Sequence, residues 1–245
     1  MLEEKYIDSL IGLLSRLIEE QKDKVDAAAD IVAQSMMSGG VIHLFGTGHS
    51  SLIAQEPFMR AGGLLPVNAF LDERILLSGG ALGSGINEKQ EGLAAEVLAA
   101  HQVQSADAGI VISNSGRNAA PVEMAIEMKK AGLHVIAITS LSHSSAVESS
   151  HSSGKKLMDI ADVALDNFAP YGDALIRLSG QESTMGAAST VTGAALINSV
   201  FILAAEKMLA GGGEPVVLPS GNVAAADYTR IQAAMEQYIG RIKHI

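Results

Sequence analysis

The stretch VIHLFGTGHS at residues 41–50 decides the fold of this 245-residue chain. It begins with a short apolar run that is typical of a buried strand and ends in a glycine-rich polar turn, after which residues 51–61 have a helical pattern. The pattern recurs downstream, where an apolar run at 109–112 and a polar turn at 113–118 precede an amphipathic helix at 119–131. Strands that alternate with helices predict a parallel sheet with helices on both faces.

Three further apolar runs bring the predicted sheet to five strands, and they lie at residues 67–70, 134–138 and 162–166. Residues 72–91 and 140–153 are rich in Gly, Ser, His or charge and are predicted to be long loops. The remaining predicted helices lie at residues 2–37 (one helix or two), 92–103, 183–208 and 223–243. The predicted fold class is therefore α/β, with a five-stranded parallel sheet flanked by helices.

This order of elements divides the chain into three parts. An N-terminal helical segment, residues 1–38, is expected to pack on the domain or on a partner subunit, because its leucines repeat at helical spacing. Residues 39–210 are expected to form the α/β domain. Residues 211–245 are expected to add a C-terminal loop and helix.

The composition of the chain limits the classes of function. The 17 Lys and Arg residues against 27 Asp and Glu residues give a net charge of −10, which argues against a nucleic-acid or anionic-membrane partner. The absence of cysteine excludes disulfides, thiolate nucleophiles and cysteine-ligated metals. Residues 1–5 do not resemble a signal peptide, and no apolar run reaches the ~20 residues of a membrane helix. We therefore expect a cytoplasmic protein.

Both polar turns are candidate ligand-binding loops. Ligands of parallel α/β sheets bind beyond the carboxyl ends of the strands, where both turns are predicted to lie. Hydroxyl and amide donors beside the N-terminus of a helix suit a phosphate monoester. Either turn alone is more simply explained by helix capping, but their joint occurrence favours phosphate. The candidate phosphate-binding residues are Gly48, Ser50, Ser51, Ser113, Ser115 and Asn118.

Two nucleotide-binding patterns fit this sequence less well. A dinucleotide-binding loop has a third glycine, where this chain has Ser51, and an acidic residue at the end of the second strand. A nucleoside-triphosphate loop needs Gly-Lys-Ser or Gly-Lys-Thr, which the sequence lacks.

The order strand, Gly-x-Gly-x-Ser, helix, then strand, Ser-x-Ser-Gly, helix resembles the sugar isomerase (SIS) phosphosugar-binding domain over about residues 35–210. A third motif, residues 182–185, is expected to open a long helix. It is similar to the Ser-Thr segment that opens a helix in the isomerase domain of glucosamine-6-phosphate synthase. The chain as a whole most resembles uncharacterised family members that carry the label of phosphoheptose isomerase.

The resemblance implies a flavodoxin-like three-layer αβα fold and a homodimer or homotetramer. It also implies which residues contact the substrate. Ser50, Ser113 and Ser115 are expected to contact the phosphate, and Asn118 stands where many members have Thr or Ser. The third motif is expected to contact sugar or phosphate through Ser183 and Thr184, with Glu182 beside them.

Interconversion of an aldose and a ketose needs a base that moves a proton next to the carbonyl, and a donor for the oxygens. The candidate catalytic residues are Glu91, Glu56 and His49. Glu91 precedes Gly92, which is similar to a catalytic Glu-Gly pair in N-acetylmuramic acid 6-phosphate etherase, although a helix-start charge explains it equally well. Glu56 lies four residues before Arg60, so an ion pair is the favoured interpretation.

The sequence therefore predicts an enzyme that binds a small-molecule sugar phosphate and isomerises it through an enediolate. Two alternatives stay open: a phosphosugar lyase or etherase-like enzyme, and a non-catalytic phosphosugar sensor. No cofactor is expected, and no metal, because the histidines lack a recognisable metal-binding spacing.

Overall fold

The computed structural model describes residues 1–222 and 228–245, and among these residues it contains nine strands. They are β1 (Ile42–Gly46), β2 (Leu64–Leu65), β3 (Val67–Ala69), β4 (Ala108–Ile112), β5 (His134–Thr139), β6 (Val163–Asp166), β7 (Ala174–Arg177), β8 (Thr184–Ala187) and β9 (Val216–Val217). Five of them form one parallel sheet in the order β3-β1-β4-β5-β6. The predicted five-stranded parallel sheet is confirmed.

Ten α-helices among the described residues accompany the strands. They are α1 (Leu2–Glu20), α2 (Lys22–Met37), α3 (Ser50–Gln55), α4 (Ala81–Asn87), α5 (Leu93–Ala99), α6 (Ala119–Lys130), α7 (Leu141–Ser145), α8 (Leu157–Ile160), α9 (Ser189–Ala210) and α10 (Tyr228–Glu236). Helices α1, α2, α3 and α9 contribute to the core on one face of the sheet, and α5, α6 and α8 to the core on the other. This arrangement is the three-layer αβα fold that the resemblance implied.

The central strands are continuous apolar runs because helices cover both faces of the sheet. In β1, Ile42 and Leu44 lie in one core, whereas Phe45 lies in the other. In β4, Ile110 belongs to the first core and Val111 to the second. Successive side chains of a strand point to opposite faces, so a sheet that is buried on both faces needs apolar residues at nearly every position.

The prediction of a helix over residues 183–208 is wrong at its start. Residues Thr184–Ala187 form β8, which pairs antiparallel with β7, and α9 begins only at Ser189. Gly186 has a φ of +82°, which a right-handed helix does not allow. The hydroxyl of Tyr6 in α1 donates a hydrogen bond of 2.8 Å to the carbonyl of Ala187, so the hairpin also contacts the N-terminal helix.

Three other predicted boundaries differ from the structure. The helix predicted over residues 51–61 ends at Gln55, two residues before Pro57. The loop predicted over residues 72–91 contains α4, whose pattern was obscured by glycines that are unfavourable in helices. The last predicted helix, 223–243, corresponds to α10, while residues 223–227 lie outside the described residues.

Helix α9 is the one helix of the described residues that is long and apolar enough to cross a membrane, with a mean hydropathy of 1.5 over its most apolar window. The sequence analysis expected no such segment. Leu196, Ile197 and Val200 of this helix are buried in the core beneath the sheet. Core helices of globular domains have the same length and composition, so the hydropathy of α9 is weak evidence for a membrane location.

Candidate functional site

A cavity of about 400 Å³ opens at the carboxyl edge of the sheet. The chain passes from β1 to β3 on one side and then to β4 on the other, and α/β proteins bind ligands at such a switch point. The cavity is lined by the two polar turns, by α4 and the turn before it, by α7 and by the start of α9. The lining residues are Thr47, Gly48, His49, Ser50, Leu77, Ala81, Ser84, Gly85, Glu88, Ser113, Asn114, Ser115, Asn118, His143, Asp173 and Ser189.

The first turn depends on two glycines. A Cβ on Gly46 would overlap the backbone of Ser50, and Gly48 has a φ of +53°. This turn presents Ser50, which is half-buried, to the cavity. Ser51 is instead buried behind the turn, and its hydroxyl donates a hydrogen bond of 2.7 Å to the carbonyl of Gly48. The structure therefore places Ser51 in the turn's own hydrogen bonds and outside the cavity lining.

The second turn presents Ser113, Ser115 and Asn118 to the same cavity. The hydroxyl of Ser113 accepts a hydrogen bond of 3.2 Å from the N–H of Gly116, whose φ is +60°. Ser115 is half-buried in the cavity wall. Ser50 and Ser115 thus line one cavity although they belong to separate turns, which is the arrangement that a shared phosphate site needs.

Glu88, which the sequence analysis did not single out, joins the two turns from the end of α4. Its carboxylate accepts a hydrogen bond of 2.8 Å from the Thr47 hydroxyl and another of 2.8 Å from the Asn118 amide. Its backbone carbonyl accepts a bond of 2.9 Å from the N–H of Ala120, in the first turn of α6. The carboxylate is half-buried and lines the cavity. One available sequence signal was the four-residue spacing of Ser84 and Glu88, which puts both on one face of a helix.

Asp173 and Ser189 form a second polar cluster at the opening of α9. The Asp173 carboxylate accepts hydrogen bonds from the N–H of Ala188 at 3.2 Å, from the N–H of Ser189 at 2.8 Å and from the Ser189 hydroxyl at 2.7 Å. A carboxylate in this position satisfies backbone donors at the start of the helix. The Ser-Thr pair that opens the long helix is therefore at 189–190, not in the third motif.

The third motif lies outside the cavity lining. Glu182, Ser183 and Thr184 are exposed residues of the β7–β8 hairpin, and the Glu182 carbonyl accepts a hydrogen bond of 3.0 Å from Arg177. The sequence analysis expected the third motif to open the long helix. That prediction is wrong, because residues Thr184–Ala187 form strand β8 and α9 begins only at Ser189.

Two histidines line the cavity. His49 is exposed at the first turn. His143 lies in α7, within a segment that was predicted as a loop, and its ring centroid is 4.8 Å from that of Tyr171. Burial lowers the pKa of His143, and the charge of Arg117 acts in the same direction against the opposing influence of Asp173. The lowered pKa favours the neutral form of the His143 imidazole.

Both glutamates chosen from the sequence are engaged away from the cavity lining. The exposed Glu91 carboxylate accepts hydrogen bonds from the Ser152 N–H at 2.6 Å and from the Ser152 hydroxyl at 2.8 Å. These two bonds hold the pKa of the Glu91 carboxyl below its usual value. Glu56 forms the ion pair with Arg60 that its spacing favoured, and it also accepts a hydrogen bond of 2.8 Å from Asn198.

Comparison with known sequences gives a family match that contains both turns. The SIS domain model matches residues 5–140. A UPF0309 protein of Listeria innocua is 40% identical over 237 residues, which cover 97% of this chain and 96% of that protein. A UPF0309 protein of Halalkalibacterium halodurans is 43% identical over 215 residues, which cover 88% of this chain and 89% of that protein.

Comparison with solved structures shows the same fold at low sequence identity. Phosphoheptose isomerase from Neisseria gonorrhoeae has a TM-score of 0.56 and 19% identity, with 84% of this chain and 100% of that chain covered. The Vibrio vulnificus NanR protein complexed with ManNAc-6P has a TM-score of 0.53 and 16% identity, with 100% of this chain and 71% of that chain covered.

Proposed function

Because the chain belongs to the SIS domain family and is a close relative of UPF0309 proteins, we propose that it binds a phosphorylated sugar and isomerises it between aldose and ketose forms. The phosphate occupies the region between the two polar turns. The sugar carbons extend toward the carboxylate and imidazole groups in the rest of the cavity.

The observation that carries the proposal is the meeting of Ser50 and Ser115 in one cavity. Hydroxyl groups on two separate turns give a phosphate several neutral donors. Helix α6, which begins directly after Asn118, adds the positive end of its dipole. The volume of about 400 Å³ falls within the range of small-molecule sites.

The isomerase part of the proposal rests on the groups that share this cavity. Glu88 supplies a carboxylate and His143 an imidazole, the two kinds of side chain that aldose–ketose chemistry uses. A neighbour in fold is named as a phosphoheptose isomerase, which agrees with this assignment.

The test is incubation of the purified protein in deuterated water with pentose, hexose, heptose and amino-sugar phosphates. An isomerase introduces solvent deuterium at the carbon next to the carbonyl of its substrate, and mass spectrometry measures that incorporation. Incorporation above a protein-free control supports the proposal. If the protein binds a sugar phosphate but no member of the panel incorporates deuterium, the proposed isomerase activity would be refuted.

A phosphosugar sensor is the second candidate, because a neighbour that covers the whole of this chain is a protein solved with ManNAc-6P. A sensor binds the sugar phosphate and leaves its carbon-bound protons in place. Calorimetric binding together with the absence of deuterium incorporation would favour it over the isomerase.

Self-association and a cytoplasmic location stay predictions. A homodimer or homotetramer would cover the exposed apolar residues of the N-terminal helix and of α9. These residues are Ile7, Ile11, Ile18, Ile202 and Leu209. Light scattering that gives only the 25.4 kDa monomer would contradict self-association.

A further inference from the structure

We propose that Glu88 is the catalytic base of this site and that His143 exchanges protons with the sugar oxygens. The inference rests on the proposed function and extends it to two residues, neither of which was among the sequence candidates. It follows from the way each carboxylate near the cavity is engaged, and from an imidazole that lines the same cavity.

The Glu88 carboxylate is held in place by hydrogen bonds but still has free acceptor positions. Thr47 and Asn118 each donate one hydrogen bond of 2.8 Å to it, and these donors come from the two turns that form the phosphate site. An ionised carboxylate has about four lone-pair positions, so acceptor capacity remains for a substrate proton.

The other carboxylates near the site are committed elsewhere. Asp173 accepts three hydrogen bonds from Ala188 and Ser189 at the start of α9, and thereby caps that helix. Glu91 is turned toward Ser152 at the surface. Glu56 lies in its ion pair with Arg60. Asp173 also lines the cavity, but its three hydrogen bonds leave it less acceptor capacity than the two that Glu88 accepts, and Glu91 and Glu56 lie outside the cavity lining. Glu88 is therefore the cavity carboxylate with the most acceptor capacity left for a substrate.

His143 provides a group for the sugar oxygens. It lines the same cavity, and its Nδ1 is buried without a hydrogen-bond partner among the residues that the structure describes. Nδ1 has no surface open to the cavity, so Nε2 is the ring nitrogen that a hydroxyl or carbonyl oxygen of a bound sugar contacts.

From ketose to aldose, proton transfers by these two residues move the carbonyl from C2 to C1. Glu88 takes a proton from C1, the C1–H electron pair becomes the C1–C2 double bond, and the carbonyl pair moves onto O2. His143 gives its N–H proton to O2 and takes the O1 proton in return, which leaves the imidazole neutral. Glu88 then returns its proton to C2, the double-bond pair forms the C2–H bond, and the O1 pair forms the new carbonyl. Water exchanges the proton while Glu88 holds it.

The experiment compares Glu88→Gln with the wild-type protein, using D-fructose 6-phosphate, D-ribulose 5-phosphate and D-sedoheptulose 7-phosphate as probes. Calorimetry measures binding, and mass spectrometry measures deuterium incorporation from deuterated water. Glu96→Gln is the matched control, because Glu96 is an exposed glutamate of α5 that accepts a hydrogen bond from Arg74. We expect Glu88→Gln to bind as the wild type does and to lose at least about 100-fold in incorporation rate, while Glu96→Gln keeps both.

If Glu88→Gln incorporates deuterium at the wild-type rate, the assignment of Glu88 as the base would be overturned, while the proposed isomerase activity would stand. If the wild-type protein binds a probe but incorporates no deuterium, both the isomerase activity and the assignment of Glu88 as its base would be overturned. Absence of binding by the wild type would overturn the proposed ligand. Glu88→Asp serves where Glu88→Gln fails to fold: it keeps the charge but shortens the reach, so an unchanged incorporation rate in Glu88→Asp would also count against the base.

His143→Gln tests the second role. We expect binding to be retained, because the glutamine amide can still contact the sugar oxygens, and an incorporation rate at least about tenfold below that of the wild type, because carbon deprotonation slows when O2 receives no proton. If this variant incorporates deuterium at the wild-type rate, His143 has no role in the proton transfers, and the assignment of Glu88 is unaffected.

Discussion

The hydroxyl of Thr47 donates a hydrogen bond of 2.8 Å to the carboxylate of Glu88, and this contact ties the first polar turn to the end of α4. Thr47 is buried, so the bond is shielded from water on the side of the turn. The turn that follows β1 therefore has two roles. It presents Ser50 to the cavity, and it fixes the orientation of the carboxylate that we propose as the base.

Thr47→Val removes this hydrogen bond while nearly preserving the shape of the side chain. A hydrogen bond to a charged group contributes about 1.5–3 kcal/mol, so the deuterium incorporation rate falls by about tenfold or more as Glu88 loses its orientation. Thr47→Ser keeps the hydroxyl and is expected to retain most of the rate. Equal rates in the two variants would show that Thr47 does not position the carboxylate.

Ser115→Ala is expected to weaken binding of a sugar phosphate by about tenfold or more, because it removes a hydroxyl donor to a charged phosphate. Ser50→Ala should act in the same direction. Ser142→Ala, an exposed serine of α7, is the control. Calorimetric titration of all three variants gives the dissociation constants, and indistinguishable values for Ser115→Ala and Ser142→Ala would contradict the phosphate site.

Asp107 is expected to be critical for stability. Its side chain is fully buried and accepts hydrogen bonds from His43 at 3.0 Å, from the Val41 N–H at 2.8 Å and from Arg241 in the C-terminal segment. Removal of one partner from a buried ion pair costs about 3–5 kcal/mol, so Asp107→Ala should lower the free energy of unfolding by this amount in urea titrations. Glu20→Ala, which breaks an exposed pair with Arg16, should cost about 1 kcal/mol or less.

The same residue predicts a dependence of stability on pH. Burial raises the pKa of Asp107, but the hydrogen bonds from His43, Val41, Gln104 and Arg241 outweigh it and hold the pKa below its usual value. A lowered folded-state pKa gives stability that is present above the unfolded pKa of about 3.9 and is lost as the pH falls through the folded value. The stability difference between wild type and Asp107→Asn should therefore shrink below about pH 4.

His101 is expected to titrate far below an ordinary histidine. Burial lowers its pKa to about 4, and the charges of Lys243, His43 and His244 act in the same direction. Its ring lies 4.3 Å from that of Phe70, which accounts for the loss of solvent. Stability from the neutral ring is present above pH ~6.5 and is lost as the pH falls toward 4. An NMR titration of the ring, assigned with His101→Gln, measures the midpoint, and a midpoint near 6.5 would refute the prediction.

The fold was predictable because its determinants are local. Each strand of the central sheet lies in a mostly apolar segment next to a turn signal, and the segment at 41–45 corresponds to β1 almost residue for residue. The ion pair of Glu56 with Arg60 was also predictable from a short segment, because the two residues are only four apart in sequence, although α3 ends at Gln55 and neither residue lies within a helix.

The helix and strand boundaries that were predicted wrongly depend on contacts between distant segments. Residues 184–187 became a strand because β7 pairs with them and Tyr6 contacts Ala187, and no local pattern records either contact. Asp173 caps α9 from across the hairpin, so the sequence alone placed the start of that helix too early.

By itself the sequence determined the parallel sheet, the two glycine-rich turns and the presence of serine donors at both, because strand periodicity and turn chemistry are properties of short segments. Only the tertiary structure decided which carboxylate faces the cavity. Glu88 and Glu91 are three residues apart, yet one accepts hydrogen bonds from Thr47 and Asn118 and the other from Ser152. Those partners lie at least 30 residues away along the chain, so contacts between distant segments decided which of the two glutamates lines the cavity.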